Sequence, residues 1–263
     1  MDIIETFEDE DVNEEQLFTQ EYTDTANLKI IKEISQDFLI ENNYDLAGEP
    51  LFKDYTEEEF INYIEKNTNL EIMKKFSETN IVENFRSSMS NIYKEKGTDN
   101  KMFIFFLPTS GLSSSVGIDV VKKFSKLVLI FGCNEGVLIS EKPLTSRSKE
   151  ILEYSNTTGE DRENVYNIIS YVDDEFFNIT EHCLTPKILK IYSGKELEDF
   201  LEKENLDPKN LPKMTIDDPI AKFYRARVGD VIKMKRKTGI GDSLVNEQII
   251  YRTVIHTQFK NKK

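Results

Sequence analysis

The sequence predicts a mixed fold, with an N-terminal α/β region built on a short mixed sheet and a small C-terminal α+β region. Two short apolar runs, at residues 102–107 and 127–131, are typical of buried strands. A helical pattern lies between them, and the order strand, helix, strand predicts a parallel pair crossed by the helix. After residue 173 helical patterns are followed by a strand hairpin, which predicts a second, separable region.

Helices are predicted before the first strand. Residues 28–41 carry apolar side chains at helical spacing, and Thr56 followed by Glu59 is a capping-box pattern that begins a second helix. Residues 70–93 are predicted to be helical or irregular, with one exposed face. Residues 96–100 are predicted to form a turn.

The connection between the two apolar runs begins with a Gly/Ser loop at residues 110–115. A short helix follows, with an apolar face. The residues of that face are Ile118, Val121 and Phe124. After the second run, residues 146–154 are predicted to form a helix, and residues 155–163 a polar loop.

The C-terminal region begins with helix signals. Ser193 and Glu196 form another capping-box pattern, followed by an apolar helical face. Asp218 before Pro219 combines a cap residue with a proline at the first helical position, which predicts a short helix. A turn is predicted at residues 229–230.

A basic hairpin is predicted next, with strands at residues 231–236 and 248–255 joined through residues 239–242. Alternation along the first strand places Lys233 and Lys235 on one face. That face fits phosphates, an acidic protein surface or a solvated sheet face. Aromatic residues interleaved for base stacking are missing from it.

Charge is unevenly distributed along the 263 residues, whose net charge is −14. Residues 1–25 hold ten acidic residues and no Lys or Arg, which predicts a solvated, unstructured tail. Residues 220–263 hold eleven Lys or Arg against three acids. The acidic balance argues against a protein that wraps nucleic acid over most of its surface.

Composition predicts a folded protein of a reducing compartment. Hydrophobic residues make up 38% of the chain, and no stretch approaches the roughly 20 apolar residues that span a bilayer. The acidic start differs from a secretion signal, so neither secretion nor a membrane partner is expected. Two cysteines, Cys133 and Cys183, cannot form a disulfide framework.

Motifs for catalysis are missing from the sequence. His182 and His256 are its only histidines, and neither has the cysteine or histidine spacing of a zinc site. The Gly-Ile-Gly at residues 239–241 lacks the third glycine of a dinucleotide fingerprint. We therefore predict no catalytic residue, no metal and no cofactor, and favour a binding or scaffold protein.

Five blocks in order resemble the fifth shared subunit of eukaryotic-type RNA polymerases. Residues 178–182 resemble the INITEH motif that opens its assembly domain, which archaeal polymerases carry alone, without the preceding domain. The family's next helix maps onto residues 195–204. Residues 211–224 resemble the family block LPxIxxxDPVARYFG. Residues 228–236 resemble its strand RGxVVKIxR, and residues 249–254 resemble its terminal ITYRxV.

The N-terminal region is similar to the jaw domain of the eukaryotic family members. Residues 102–106 resemble its MFVFF strand, and residues 127–131 stand where its ALIVV strand would lie. Residues 145–149 resemble the TPSAK segment, which lies near downstream DNA in the family. The resemblance therefore marks four DNA-proximal residues. These are Thr145, Ser146, Arg147 and Lys149.

Departures from the family pattern point to a divergent member. The family glycine after the aromatic pair is Arg225 here, and the proline of TPSAK is Ser146, which weakens the expectation of a DNA contact there. The hairpin loop at 237–247 is longer than in the family. This divergence fits a protein of a divergent eukaryote and also one encoded by a large DNA virus.

The resemblance implies a non-catalytic polymerase subunit with an acidic tail (1–25), a jaw domain (26–172) and an assembly domain (173–263). The expected partners are the largest subunit, other core subunits and downstream DNA, without homo-oligomers. The expected location is the nucleus for a cellular protein, and the virion or the host cytoplasm or nucleus for a viral one. The implied subunit-interface residues are Glu181, His182, Pro212, Asp218, Pro219, Phe223, Tyr224, Lys233, Tyr251 and Arg252.

Three other functions remain open on the residues alone, and one of them is a stand-alone nucleic-acid-binding protein. A nuclease with an α/β core would need carboxylates and a lysine near the strand ends, but the runs at 101–107 and 126–131 contain no acidic residue. A free transcription regulator that borrows the assembly fold would bind polymerase substoichiometrically, whereas a core subunit co-purifies one to one.

Overall fold

The computed structural model describes residues 14–77, 85–108, 114–157, 167–180, 185–238 and 246–256. Its helices are α1 (Glu14–Glu41), α2 (Glu57–Asn67), α3 (Leu70–Ser77), α4 (Phe85–Ser88), α5 (Ile118–Ile130), α6 (Ser146–Thr157), α7 (Asp173–Thr180), α8 (Gly194–Glu204) and α9 (Pro219–Phe223). Its strands are β1 (Asn91–Lys94), β2 (Lys101–Phe106), β3 (Glu135–Ser140), β4 (Asn167–Val172), β5 (Lys187–Tyr192), β6 (Lys213–Thr215), β7 (Val231–Thr238) and β8 (Asn246–Ile255). Across these ranges, no helix is both long and apolar enough to cross a membrane.

Two four-stranded mixed sheets with packed helices confirm the predicted α+β architecture. The N-terminal sheet has the order β1-β2-β3-β4, with β1 antiparallel to β2 and the other strands parallel. Along β2, Ile104 and Phe106 enter one core while Phe103 and Phe105 enter the other. Because helices cover both faces of this sheet, β2 is a continuous apolar run rather than an alternating one.

The prediction of a strand at residues 127–131 is wrong, because the run falls at the C-terminal end of α5. Leu127 and Val128 continue the buried stripe that Val121 and Phe124 begin, at helical spacing. The parallel strand that follows the helix is β3. A five-residue apolar run fits either a buried strand or a buried helix end, so periodicity could not separate them.

A glycine explains why β3 was not recognised. Gly136 interrupts its apolar pattern, and glycine is unfavourable inside a strand. A Cβ at this position would lie 2.8 Å from Val128 Cγ2 and 3.0 Å from Phe124 Cζ. The glycine is therefore required by the close packing of α5 on the sheet.

The first helix is longer than predicted. It begins at Glu14, so residues 14–25 of the predicted unstructured tail are helical, while residues 1–13 lie outside the described residues. Glutamate and glutamine favour helix and make up five of the twelve residues of this segment, which is consistent with the extension. Further along α1, Ile31, Ile34 and Phe38 are buried against the sheet.

Two buried ion pairs connect the layers of the N-terminal region. The ammonium of Lys32 donates to Tyr93 Oη at 2.7 Å and to Glu49 Oε1 at 3.1 Å. Burial lowers the pKa of Lys32, and the charge of Glu49 partly opposes that shift. Arg86 makes a bidentate pair with Asp173 at the start of α7, with N–O distances of 2.7 and 2.5 Å. The hydrogen bond from Lys32 to Tyr93 connects α1 to β1, and the Arg86–Asp173 pair connects α4 to α7.

Of the two predicted capping boxes, the one at Thr56 and Glu59 forms and the one at Ser193 and Glu196 does not. Thr56 Oγ1 accepts a hydrogen bond from the Glu59 amide at 3.3 Å, and Glu59 Oε2 accepts one from the Thr56 amide at 2.8 Å, as predicted. Ser193 is the N-cap of α8, but its side chain makes no capping hydrogen bond. Glu196 pairs with Lys190 instead, so the second box is not formed although the helix is.

The C-terminal sheet has the order β5-β7-β8-β6. The predicted hairpin is confirmed, because β7 and β8 pair antiparallel, with Lys233 opposite Tyr251. Its connection at residues 239–245 lies outside the described residues. Five strands were not predicted, namely β1, β3, β4, β5 and β6, and neither was α7. The short helix α9 begins as predicted, with Asp218 Oδ1 accepting from the Ile220 amide at 3.0 Å.

Candidate subunit interface

The C-terminal sheet buries one face and exposes the other. The buried face packs Ile232, Met234 and Val254 against Ala221 of α9. Residues adjacent in a strand point to opposite faces, so the neighbours of these residues form the second face. This second face carries most of the lysines of the sheet.

We call the second face the lysine face, and it comprises Lys187, Lys190, Lys233, Lys235, Ile249 and Tyr251. Pairing across the sheet places Lys187, Lys235 and Ile249 in one row. Lys190, Lys233 and Tyr251 form the next row. The sheet thus brings two predicted interface residues, Lys233 and Tyr251, side by side.

Helix α8 covers one end of the lysine face. Its Phe200 stacks on Tyr192, with ring centroids 4.0 Å apart, and lies 5.4 Å from the ring of Tyr251. The rest of the face is open. Lys187 and Lys190 are exposed, and Ile249 is 51% exposed.

Two carboxylates already lie on this face. Lys190 Nζ is 2.5 Å from Glu196 Oε1, and donating this hydrogen bond raises the pKa of Lys190. Lys235 pairs with Glu247. Lys233 has its ammonium 5.8 Å from the centre of the Tyr251 ring.

Arg252 lies on the opposite face from Tyr251, as its position in β8 requires. Its Nε is buried and has no hydrogen-bond partner among the described residues. The structure therefore does not bring Arg252 together with Lys233 and Tyr251.

The helix α9 joins the two regions of the chain. Phe223 is 1% exposed and meets Phe38 of α1 edge to face, with ring centroids 5.5 Å apart. Asn42 Nδ2 donates to the backbone oxygen of Phe223 at 2.9 Å, and Tyr224 packs beside the same ring. Phe223 lies in the chain's own core, so its side chain can reach a partner only if this junction opens.

Two cations after the start of α9 strengthen the junction. Lys222 Nζ lies 2.7 Å from Glu175 Oε2 and donates to the backbone oxygen of Ser170 at 3.0 Å. Arg225 pairs with Glu135 at the start of β3, and Tyr44 Oη donates to the same carboxylate at 2.7 Å. Sequence reasoning did not predict these contacts.

One sequence signal did mark the position of Arg225. Its φ is +52°, a left-handed conformation that favours glycine. The resembled family block has a glycine at this place, so the departure noted in the sequence corresponds to a real backbone requirement. The ion pair with Glu135 offsets part of the conformational cost.

The remaining predicted interface residues are scattered. Asp218 and Pro219 form the start of α9 and are partly buried. Pro212 is exposed next to β6, and its backbone oxygen accepts from the Thr253 amide at 2.9 Å. Glu181 and His182 lie outside the described residues.

The predicted DNA-proximal residues lie at the start of α6. Thr145 Oγ1 accepts from the Ser148 amide at 3.2 Å, so this side chain caps the helix. Ser146, Arg147 and Lys149 are exposed there. The segment thus exposes two cations and a hydroxyl to solvent. Their contact with DNA stays a prediction.

A cleft of about 860 Å³ lies between the two regions. Its walls include the paired groups Lys222, Glu175, Arg225 and Glu135. These charged groups pair with one another, so the cleft walls mainly hold the two regions together. Within the described residues, no three His, Cys, Asp or Glu side chains are grouped to hold a metal ion.

Comparison with known proteins identifies residues 177–254 with the model of the RNA polymerase Rpb5 C-terminal domain. The subunit Rpo5 of Staphylothermus marinus is 36% identical over 86 residues, which are 33% of this chain and 89% of that protein. Rpo5 of Archaeoglobus fulgidus is 35% identical over 79 residues, which are 30% of this chain and 97% of that one.

A eukaryotic relative aligns over a longer stretch. It is the subunit rpabc1 of RNA polymerases I, II and III of Dictyostelium discoideum, 26% identical over 151 residues, which are 57% of this chain and 71% of that protein. This alignment is too long to fit within the C-terminal region. The chain therefore belongs to the Rpb5/Rpo5 family of DNA-directed RNA polymerase subunits.

Proposed function

We propose that this chain is a non-catalytic core subunit of a multisubunit RNA polymerase, bound to the largest subunit by its C-terminal domain. One observation carries the proposal. The archaeal Rpo5 relatives align over 89% and 97% of their lengths with only about a third of this chain. The Rpb5 C-terminal match, residues 177–254, has a similar extent and contains the small sheet with its lysine face.

The proposal assigns nucleotide addition to other subunits. The sequence has neither a phosphate-binding loop nor a nucleophile motif. The acidic residues that line the interdomain cleft include Glu135 and Glu175, which are paired with cations. The chain supplies a surface and a rigid body rather than reacting groups.

We further propose two domains, residues 26–172 and residues 173–263, with α7 and α9 at their junction. Helix α7 packs on α1, and its Phe176 lies in the N-terminal core, while Glu175 reaches Lys222 of α9. These contacts support a jaw that is held at a fixed angle to the assembly domain.

The jaw would lie beside the DNA that enters the enzyme. Arg147 and Lys149 are exposed at the start of α6 and suit phosphate contacts, which are insensitive to base sequence. We place a cellular form of the protein in the nucleus. A viral form would act in the host cytoplasm or nucleus, or be packaged in the virion.

Affinity purification of the tagged full-length chain from its native source, washed at high salt, tests the proposal. Equimolar recovery of the two largest polymerase subunits is the expected result. Recovery of the chain alone, or with unrelated proteins, would overturn the proposal. Substoichiometric recovery would favour a transcription regulator that binds polymerase transiently.

A further inference from the structure

We infer that the lysine face of the C-terminal sheet is a docking surface for an acidic polypeptide segment that also carries an apolar side chain. The inference rests on the proposed function, because it describes the chemistry of the polymerase segment that meets this chain. The Rpb5 match covers all of the residues that form the face.

The open part of the face has four lysines on two neighbouring strands and an apolar side chain on the next strand. Lys187 and Lys235 lie in one row with Ile249, and Lys190 and Lys233 lie in the next row. Neighbouring strands are about 4.8 Å apart, so the four ammonium groups are within reach of a single extended segment. Ile249, on β8, lies beside Lys235 and is 51% exposed.

Protection of a sheet edge does not account for these lysines. Lys187 and Lys190 are on β5, an edge strand, where lysine discourages pairing with another strand. Lys233 and Lys235 are on β7, which is paired on both sides. Lys233 and Lys235 therefore belong to the open face of the sheet rather than to its edge.

The chain neutralises only part of this charge. The two carboxylates on the face, Glu196 and Glu247, have 56% and 46% of their side chains exposed. Exposed pairs of this kind contribute little to stability, so incoming carboxylates can take their places. Lys187 and Lys233 have no carboxylate partner within the described residues.

An acidic polypeptide fits the face better than a nucleic acid does. Base stacking needs open aromatic rings, but Phe200 stacks on Tyr192 and lies close to Tyr251, whose ring also has the Lys233 ammonium nearby. Ile249 offers an apolar contact that a phosphate backbone cannot use. The pair Lys190–Glu196 shows that a carboxylate suits this surface.

Photocrosslinking in the assembled polymerase tests the inference. The photoreactive residue p-benzoylphenylalanine would replace Ile249 in the tagged full-length chain, and crosslinked peptides would be identified by mass spectrometry. We expect a crosslink to a polymerase segment rich in Asp and Glu. The same residue at Leu70, which is 69% exposed on α3, serves as the control and should not crosslink to that segment.

Charge reversal gives an independent measure. The double variant Lys187→Glu/Lys233→Glu should weaken retention in the polymerase on the order of tenfold or more at low salt. The difference from the unaltered chain should shrink as salt rises, because salt screens both the attraction and the repulsion. Reversal of Lys66 and Lys126, both exposed in the N-terminal region, should leave retention unchanged. Circular dichroism and the melting temperature of each variant verify that the chain still folds.

The outcomes separate this inference from the proposed function. Suppose that the unaltered chain co-purifies equimolarly with polymerase but residue 249 crosslinks to DNA, to residues 1–13 of its own chain, or to nothing. The docking inference is then wrong while the function stands. Absence of the unaltered chain from polymerase would overturn both.

Discussion

The N-terminal region buries far more side chains than the C-terminal region does. Its sheet separates two clusters of eighteen and fifteen buried described residues, to which the C-terminal region contributes Phe176 and Phe223, whereas the C-terminal cluster holds six. The clear sequence match nevertheless covers the region with the smaller core. Many combinations of apolar residues fill a core equally well, but a surface that meets a specific partner tolerates fewer changes. Burial and recognisable sequence thus lie in different parts of this chain.

The largest expected effect is in the N-terminal core at the junction. Phe38→Ala should lower the free energy of unfolding by about 3–5 kcal/mol, because the ring is fully buried and contacts both Tyr171 and Phe223. Chemical denaturation measures the loss. Ile40→Ala, 46% exposed on the same helix, should change stability by less than about 0.5 kcal/mol. Equal losses in both variants would contradict the assignment of this core.

The stability contributed by a buried and an exposed ion pair should differ almost as strongly. Arg86→Met leaves the Asp173 carboxylate without its buried partner and should cost about 3 kcal/mol. Lys190→Met removes an exposed pair with Glu196 and should cost less than about 1 kcal/mol. The double variant Arg86→Met/Asp173→Leu should recover much of the first loss. A small loss for Arg86→Met alone would mean that the pair is not buried.

The two capping-box patterns allow a matched comparison. Thr56→Ala removes the side-chain oxygen that accepts from the Glu59 amide and should destabilise the protein by about 1 kcal/mol. Ser193→Ala removes a side chain that makes no capping bond, so its effect should be close to zero. Thermal unfolding of the two variants measures both effects. A larger loss for Ser193→Ala would show that the second box forms in solution.

The smallest effect is expected at the junction arginine. Arg225→Gly loses the pair with Glu135 but relieves the left-handed backbone, so the two changes nearly offset each other. Arg225→Ala loses the pair and keeps the strain, and it should be about 1 kcal/mol less stable than Arg225→Gly. Urea denaturation of both variants measures this difference. Equal stabilities would mean that the backbone strain is negligible.

Local signals in the sequence predicted several elements correctly. The apolar run of β2, the cap at Thr56, the proline at Pro219 and the β7–β8 hairpin depend on residues close in sequence. Residues 127–131 were wrongly predicted as a strand because helix and strand can both bury a short apolar run.

Other features depend on contacts between distant parts of the chain. The strand β5 has a lysine-rich pattern with a register shift between Ile188 and Lys190, so alternation does not reveal it. The pair between Arg225 and Glu135 joins residues 90 positions apart, and no local pattern encodes such a contact. Lys233, Tyr251 and Phe223 were all predicted as interface residues from the sequence. In the structure Phe223 is buried inside the junction.

Electron cryomicroscopy of the polymerase purified through this chain would show whether the C-terminal domain attaches the chain to the enzyme while the N-terminal domain projects from it. We expect density for one copy, with the lysine face of the C-terminal sheet against another subunit and α6 directed toward the DNA channel. A map in which the N-terminal domain makes the attachment and the lysine face is open to solvent would contradict it.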